Sequence, residues 1–387
     1  MLAQLLRDKR TLIVVGSGGV GKTTTSAAFA VQAARIGLKT LVLTVDPARR
    51  LANSLGLEEL GNQEVQIDPA LFAAAGVDLA GGELHGMMLD TKSTFDALIE
   101  EYAPNDQTKE RIFANPFYEQ ASTALAGSQE YMAMEKLYEI RDKRDYDLIV
   151  LDTPPTPNAL DFLTAPNRLE DFLSSTTTKA LVKGMKTAGK MGLGILKINA
   201  FVMRGLNRFI GADTFLGLLD FIQSFQEMYG GFKARAARVR EILRSDDVAF
   251  VIVSTTSRAA IDEATFFYEQ LTLNEMPFGA VVVNRVRQSQ LCPDQLDDLD
   301  RHLIEAARGC PPMRLYDGYQ VSRILERAAA ACRDYETLAQ VDIDRLATVR
   351  ERFSKDAGRV YPVPLFEKDI HDIASLARFG DHVFAER

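Results

Sequence analysis

Cysteine is scarce in this sequence. The 387 residues hold three, Cys292, Cys310 and Cys332, and none belongs to a CxxC pair. That spacing excludes a disulfide framework and a four-thiolate zinc site, and a reducing, cytoplasmic setting is expected. Long apolar runs are missing as well. No stretch offers about 18 uninterrupted apolar residues, so no membrane-spanning helix is expected. The apolar pieces of MLAQLLRDKRTLIVV are too short for a signal peptide. Positive charge is in the minority: 45 Lys and Arg against 53 Asp and Glu leave a net charge of −8. This argues against nucleic acid as a partner of the surface as a whole. No internal repeat recurs at a fixed period.

What is present is an ordinary globular composition, 47% apolar and 25% charged, enough for a real core. The length suits two or three average domains or one large α/β domain with insertions. Short β-branched runs alternate with helical patterns, which predicts an α/β fold with a mainly parallel sheet covered by helices on both faces. TLIVV (11–15), KTLVLTV (39–45), DLIVLD (147–152), VAFVIVS (248–254) and GAVVVN (279–284) read as buried strands. ELHGMML (83–89) and RVYPVP (359–364) are weaker, since Pro362 and Pro364 favour an edge or a loop. A helix is expected from about Lys22 to Gly37, with Gly37 as the glycine just past its end.

Two segments, about 91–142 and 164–245, fall outside this alternation and read as helical insertions near the top of the sheet. In the second, Ile195, Ile198, Val202, Leu206 and Phe209 share one helical face, as do Phe215, Leu218, Ile222, Phe225 and Tyr229. Each stripe fits either a core seam between the two helices or an exposed apolar surface. Seven basic residues and no acidic one lie between Lys179 and Arg208, among five glycines that leave the region loosely specified.

Gly16-Ser17-Gly18-Gly19-Val20-Gly21-Lys22-Thr23 matches GxxxxGK[ST], directly after a strand and before a helix. The glycines let backbone N–H groups of Gly18, Gly19, Val20 and Gly21 converge on phosphate oxygens, and Thr24 continues the helix start. Lys22 would sit at the β/γ-phosphates and Thr23 would offer a hydroxyl to Mg²⁺, making ATP or ADP with Mg²⁺ the expected ligands. Asp152 ends a buried strand where a second carboxylate near the metal belongs. It is followed by the stiff loop Thr153–Asn158. Asp46, held extended by Pro47, reads either as a carboxylate that orients an attacking water or as the N-cap of the next helix.

Together these segments resemble the ArsA-type ATPases, the arsenical pump-driving and tail-anchored-protein-targeting ATPases of the P-loop NTPase class. Gly18–Thr24, Asp46-Pro47-Ala48 and Asp152–Thr156 carry the resemblance, which runs in order over residues 11–370. It implies a single P-loop ATPase domain over 1–387 with the helical insertions forming a client- or partner-binding subdomain. It also implies Asp46 and Lys22 as catalytic residues, and Thr23, Asp46 and Asp152 on the metal side. Asn284 and a loop around Pro364 would then lie at the adenine. The family's usual lysine in GKGGVGKT is replaced by Ser17, which looks like a bacterial subgroup. Either the chain pairs with a lysine-bearing paralogue, or another cation such as Arg49 or Arg50 substitutes.

The implied function is a Mg²⁺-dependent, dimeric switch ATPase, homo- or heterodimeric, cytoplasmic and in one reading peripheral to the membrane. Its client would be a hydrophobic membrane protein. One alternative is the ATPase subunit of an arsenite or other anion pump, which the placement of the cysteines does not favour. Another is a membrane-surface positioning ATPase, although the C-terminal DIHDIASLARFGDHVFAER is not basic.

Overall fold

The computed structural model describes residues 2–46, 50–115, 118, 128–154, 221, 224 and 228–385. Within them the chain runs α1 (Leu2–Asp8), β1 (Thr11–Val15), α2 (Lys22–Arg35), β2 (Lys39–Thr44), α3 (Arg50–Ser54), β3 (Val65–Gln66), α4 (Pro69–Ala74) and β4 (Glu83–Met88). Next come α5 (Thr91–Tyr102), α6 (Asp106–Phe113), α7 (Ser128–Lys143), β5 (Leu148–Asp152), α8 (Tyr229–Leu243), β6 (Val248–Thr255), α9 (Arg258–Leu273) and β7 (Phe278–Val286). The last part holds α10 (Pro293–Asp297), α11 (Leu299–Gly309), α12 (Gly318–Arg352), β8 (Val360–Pro364) and α13 (Ile373–Phe384), with 3₁₀ turns at Pro311–Leu315 and Ser354–Arg359. The stripe from Ile195 to Phe209, the stripe residues Phe215, Leu218, Ile222 and Phe225, and the basic stretch 179–208 lie outside the described residues, while Tyr229 is the first residue of α8.

The eight strands form one sheet in the order β3-β4-β2-β5-β1-β6-β7-β8. Every pairing is parallel except β3 against β4. The two strand candidates marked as weaker are both present, and β8 with its prolines takes an edge, where a missing N–H does no harm.

The central strands are apolar at consecutive positions because both faces are covered. Ile13, Leu41, Leu43, Ile149, Leu151, Phe250 and Ile252 point into one apolar cluster. Their neighbours Leu12, Val14, Val42, Val150, Val251 and Val253 point into the other. This is the two-residue period of a strand, with a core on each side. Phe95, Leu98 and Ile99 of α5 and Met132, Leu137 and Ile140 of α7 join the first cluster. Helix α2, lined with Ala27, Ala28, Ala30, Ala33 and Ala34, joins the second together with Phe379 of α13.

Helix ends show the expected chemistry. Asp90 caps α5 through Lys92 N and Ser93 N, and Asp317 and Asp372 form capping boxes for α12 and α13. Gly37 has φ 88° just past α2, the left-handed geometry that glycine tolerates at a helix end. Helix α2 lacks such a cap at its start. Its N-cap is Gly21, with no side-chain cap, so its first N–H groups are left for another acceptor.

Helix α12 is 35 residues long, about 52 Å at 1.5 Å per residue. Its C-terminal part packs on the sheet through Leu346 and Val349. Its first half pairs with α11 and stays largely exposed.

Candidate active site

Strand β1 lies at the centre of the sheet with β5 on one side and β6 on the other. Because the chain fills the two sides from opposite directions, the loop after β1 opens into a crevice at the carboxyl ends of the strands. Gly16, Gly19 and Gly21 have φ 153°, 78° and 101°. A Cβ on Gly16 would lie 2.2 Å from the Val253 carbonyl oxygen, and one on Gly21 would lie 2.3 Å from Asn284 Nδ2. Gly18 and Gly19 face open space. The loop is thus clamped from behind and bare in front. The Val20 side chain is buried in the core, so only its backbone is available to a ligand.

Lys22 is buried, and its Nζ donates to the carbonyls of Gly16, at 2.9 Å, and Ser17, at 3.1 Å. Burial lowers its pKa, against the opposing charges of Asp152, Asp46 and Glu263. Asp152 is fully buried and accepts three hydroxyls. Thr23 Oγ1 donates to Oδ2 at 2.8 Å, Thr44 Oγ1 to Oδ2 at 2.9 Å, and Ser26 Oγ to Oδ1 at 3.3 Å. Desolvation pushes this carboxyl up to about 6, with the hydroxyls and Lys22 pulling the other way. The backbone N–H of Asp46 donates to Thr44 Oγ1 at 3.2 Å. The end of β2, the end of β5 and the first turn of α2 therefore meet on one carboxylate.

A cavity of about 890 Å³ opens in front of these groups. It is lined by Gly19, Gly21, Lys22, Thr23 and Thr24 from the loop side, by Asp46 and Arg50 from the β2 side, and by Asn284, Arg285, Pro364 and Phe366 from the far side. Of the candidate residues described, Gly18, Val20 and Asp152 are not in its lining; the Asp152 side chain lies behind Thr23. Asn284 is buried. Its Nδ2 donates to the Val20 carbonyl at 2.9 Å and its Oδ1 accepts from Arg285 N at 2.9 Å. The amide thus braces the loop while one N–H and part of the carbonyl remain for a ligand. Pro47, Ala48, Arg49 and residues 155–158 lie outside the described residues.

Reading the motifs did not find Thr44, Ser26 or Arg285. Thr44 was hidden as the last residue of a strand, and Ser26 lies one helical turn after Lys22. Neither hydroxyl carries a motif.

The oxygens offered to the cavity are hard ones, the hydroxyl of Thr23 and the carboxylate of Asp46, with the Asp152 carboxylate directly behind Thr23. They suit a small divalent cation that keeps waters and phosphate oxygens as its other ligands. Among the described residues, no group of three or more His, Cys, Asp or Glu could hold a metal ion by itself. A cation here would therefore be shared with a phosphate.

The profile of the anion-transporting ATPases, the ArsA ATPase family, matches residues 9–302. The chain belongs to the ArsA ATPase family. The ATPase GET3 of Malassezia globosa is 26% identical over 272 residues, 70% of this chain and 71% of that protein. The ATPase get3 of Aspergillus terreus is 26% identical over 282 residues, 72% of this chain and 73% of that protein. In Mycosarcoma maydis, the ATPase GET3 is 29% identical over 178 residues, 45% of this chain and 48% of that protein. This ArsA-family protein is an ATPase with the α/β fold of a P-loop NTPase. Gly16–Thr24, Asp46, Asp152 and Asn284 fall inside the family match, whereas Pro364 and most of the α11–α12 arm lie beyond it. No helix among the described residues is long and apolar enough to cross a membrane.

Proposed function

We propose that the cavity in front of Gly18–Thr24 is where this ATPase binds ATP with Mg²⁺ and hydrolyses it, and that the chain works as a dimeric switch. The observation that carries this reading is the convergence on Asp152 of hydroxyls from α2 and β2, with the backbone of Asp46 joined through Thr44. A change at the phosphate side is then felt at the ends of β2 and β5 together. Mg²⁺ would be held by Thr23, with Asp152 and Asp46 on its far side, and would supply charge neutralisation at the phosphates. Lys22 leaves the Gly16 and Ser17 carbonyls to meet phosphate, and the uncapped start of α2 receives phosphate oxygens on its N–H groups. Asp46, half-buried at the cavity wall, positions the attacking water. Asn284 and the Pro364–Phe366 turn hold the base.

The single domain carries its partner surface in the helical segments, and the client is a hydrophobic helix of a membrane protein, as the resemblance to targeting ATPases suggests. The protein works in the cytoplasm and at the membrane surface. Ser17 is accommodated by pairing with a lysine-bearing relative or by a cation of the cavity wall, where Arg50 stands.

The test is native mass spectrometry of the protein purified from its own cells in Mg²⁺–ATP. Two identical chains support a homodimer, and this chain with a lysine-bearing relative supports division of labour. A monomer without nucleotide overturns the switch reading. The pump alternative follows the description of the family, and it requires arsenite or another anion to stimulate phosphate release.

A further inference from the structure

Arg285 has a feature that its neighbours in the cavity wall lack. Three of the wall's cations are Arg50, Arg285 and Lys368. Of these, only Arg285 is bonded to the phosphate loop among the described residues, its Nη1 donating to the Gly19 carbonyl at 3.3 Å. It is exposed, and its side-chain hydrogen bond among the described residues goes to that carbonyl. A neutral carbonyl at the long end of the hydrogen-bond range is a weak partner for a guanidinium, which binds planar anions best.

The backbone is bent to place it there. The register between β7 and β8 slips between Val283 and Val286, and Arg285 sits in that slip with φ 59°. A left-handed conformation is unfavourable for an arginine and carries strain. Bulges commonly re-aim a side chain beside a site. Asn284 Oδ1 holds the Arg285 N–H within the bulge, and Asn284 Nδ2 fastens the bulge to the loop at the Val20 carbonyl.

Lys22 rests in the same manner, on the carbonyls of Gly16 and Ser17. Two cations are thus parked on loop carbonyls, on either side of the bare glycines Gly18 and Gly19. A nucleotide di- or triphosphate brings about three to four negative charges, and Lys22 alone is a small answer to them.

We propose that Arg285 is a phosphate ligand of the bound nucleotide, exchanging the Gly19 carbonyl for phosphate oxygens and acting beside Lys22 within the same chain. The inference rests on the cavity being the nucleotide site. Its experiment therefore begins with calorimetric binding of ADP to the full-length wild-type chain at 50 mM and 300 mM NaCl. Absence of ADP and ATP binding by the wild type overturns the site assignment itself.

With binding established, Arg285→Gly and Arg285→Lys are compared. Glycine accepts φ 59° without strain, so the ligand-free melting temperature of Arg285→Gly is expected to equal or exceed the wild type's. Its Kd for ADP is expected to rise at least tenfold at 50 mM NaCl, with the gap narrowing at 300 mM. Arg285→Lys, which keeps the charge, should bind within about threefold to fivefold of the wild type. An unchanged Kd in Arg285→Gly overturns the proposal. So does an equal, salt-independent loss in both variants, which would make Arg285 only a brace for the Gly19 carbonyl.

Discussion

The floor of the candidate-site cavity and the α11–α12 arm solve opposite problems with similar residues. On the floor, Lys22, Ser26, Thr44 and Asp152 are buried and bonded to one another or to the loop. On the arm, Leu315 and Tyr319 are 86% and 72% exposed, and charged side chains face water along both helices. The arm is fastened where α12 crosses the sheet. There Asp342, buried on α12, accepts from Thr256 Oγ1 at 2.6 Å and from Arg287 N and Nη1 at 3.0 and 3.1 Å. Burial of polar groups is costly and is tolerated where every group is matched. Asp152 and Asp342 are matched in this way, whereas the arm beyond Asp342 is left to solvent.

The largest effect should come from the floor. Lys22→Ala removes the buried cation, and phosphate release from ATP is expected to fall at least about 10³-fold, about 4 kcal/mol of barrier. The folded state is expected to survive, because the loop carbonyls it leaves can take water.

Asp152 should give the next largest effect, and it depends on pH. Its carboxyl titrates near 3.8 ordinarily and about 6 when folded. A raised folded pKa means that the protonated form is favoured by folding. Its stabilisation is complete below about pH 3.8 and is lost as the pH rises through about 6. Converted at 1.36 kcal/mol per decade, the gap amounts to about 3 kcal/mol. In nucleotide-free protein, urea titrations should therefore show Asp152→Asn gaining up to about 3 kcal/mol on the wild type between pH 4 and pH 8. A difference that stays flat across this range would remove the picture of a desolvated carboxylate.

Asp342 tests the fastening of the arm. Asp342→Ala leaves Arg287 and Thr256 without their acceptor and should cost about 2–3 kcal/mol in the same urea titration. Arm and body should then melt apart, seen as faster amide exchange in α11 and α12 than in β1 and β5. At the other extreme, Leu315→Glu at the tip should change stability by no more than about 0.5 kcal/mol. A large loss there would mean that the tip is covered in the working protein, and the contrast between floor and arm would fail.

Much of this contrast was legible in the sequence, but unevenly. Continuous β-branched runs marked the strands because both faces are buried, and Gly16–Thr23 marked the loop because its geometry demands glycine. The edges were harder. Val65–Gln66 is a two-residue strand with both residues exposed, so it leaves no pattern. Pro362 and Pro364 blurred β8 although an edge position tolerates them. Thr23 was legible from the loop motif, but Ser26 and Thr44 were not, because they come from two segments and face a carboxylate more than 100 residues away. The 35-residue α12 carries no chemistry-bearing motif and drew no reading. Arg285 was present in VVVNR, but the strand-ending asparagine took the attention, and only the bulge shows where the arginine goes.

The contact between Gly21 and Asn284 has a consequence for the order in which this sequence can change. A methyl group at position 21 would stand 2.3 Å from Asn284 Nδ2, and Asn284 in turn holds the carbonyl of Val20. An alanine at 21 is thus closed off while asparagine remains at 284. Shortening 284 first would release the loop before anything is gained at 21. Two positions 263 residues apart in the chain form a lock in which neither tumbler moves alone. A library that randomises both together should still return glycine at 21, because φ 101° strains any side chain there even when the space beside it is opened.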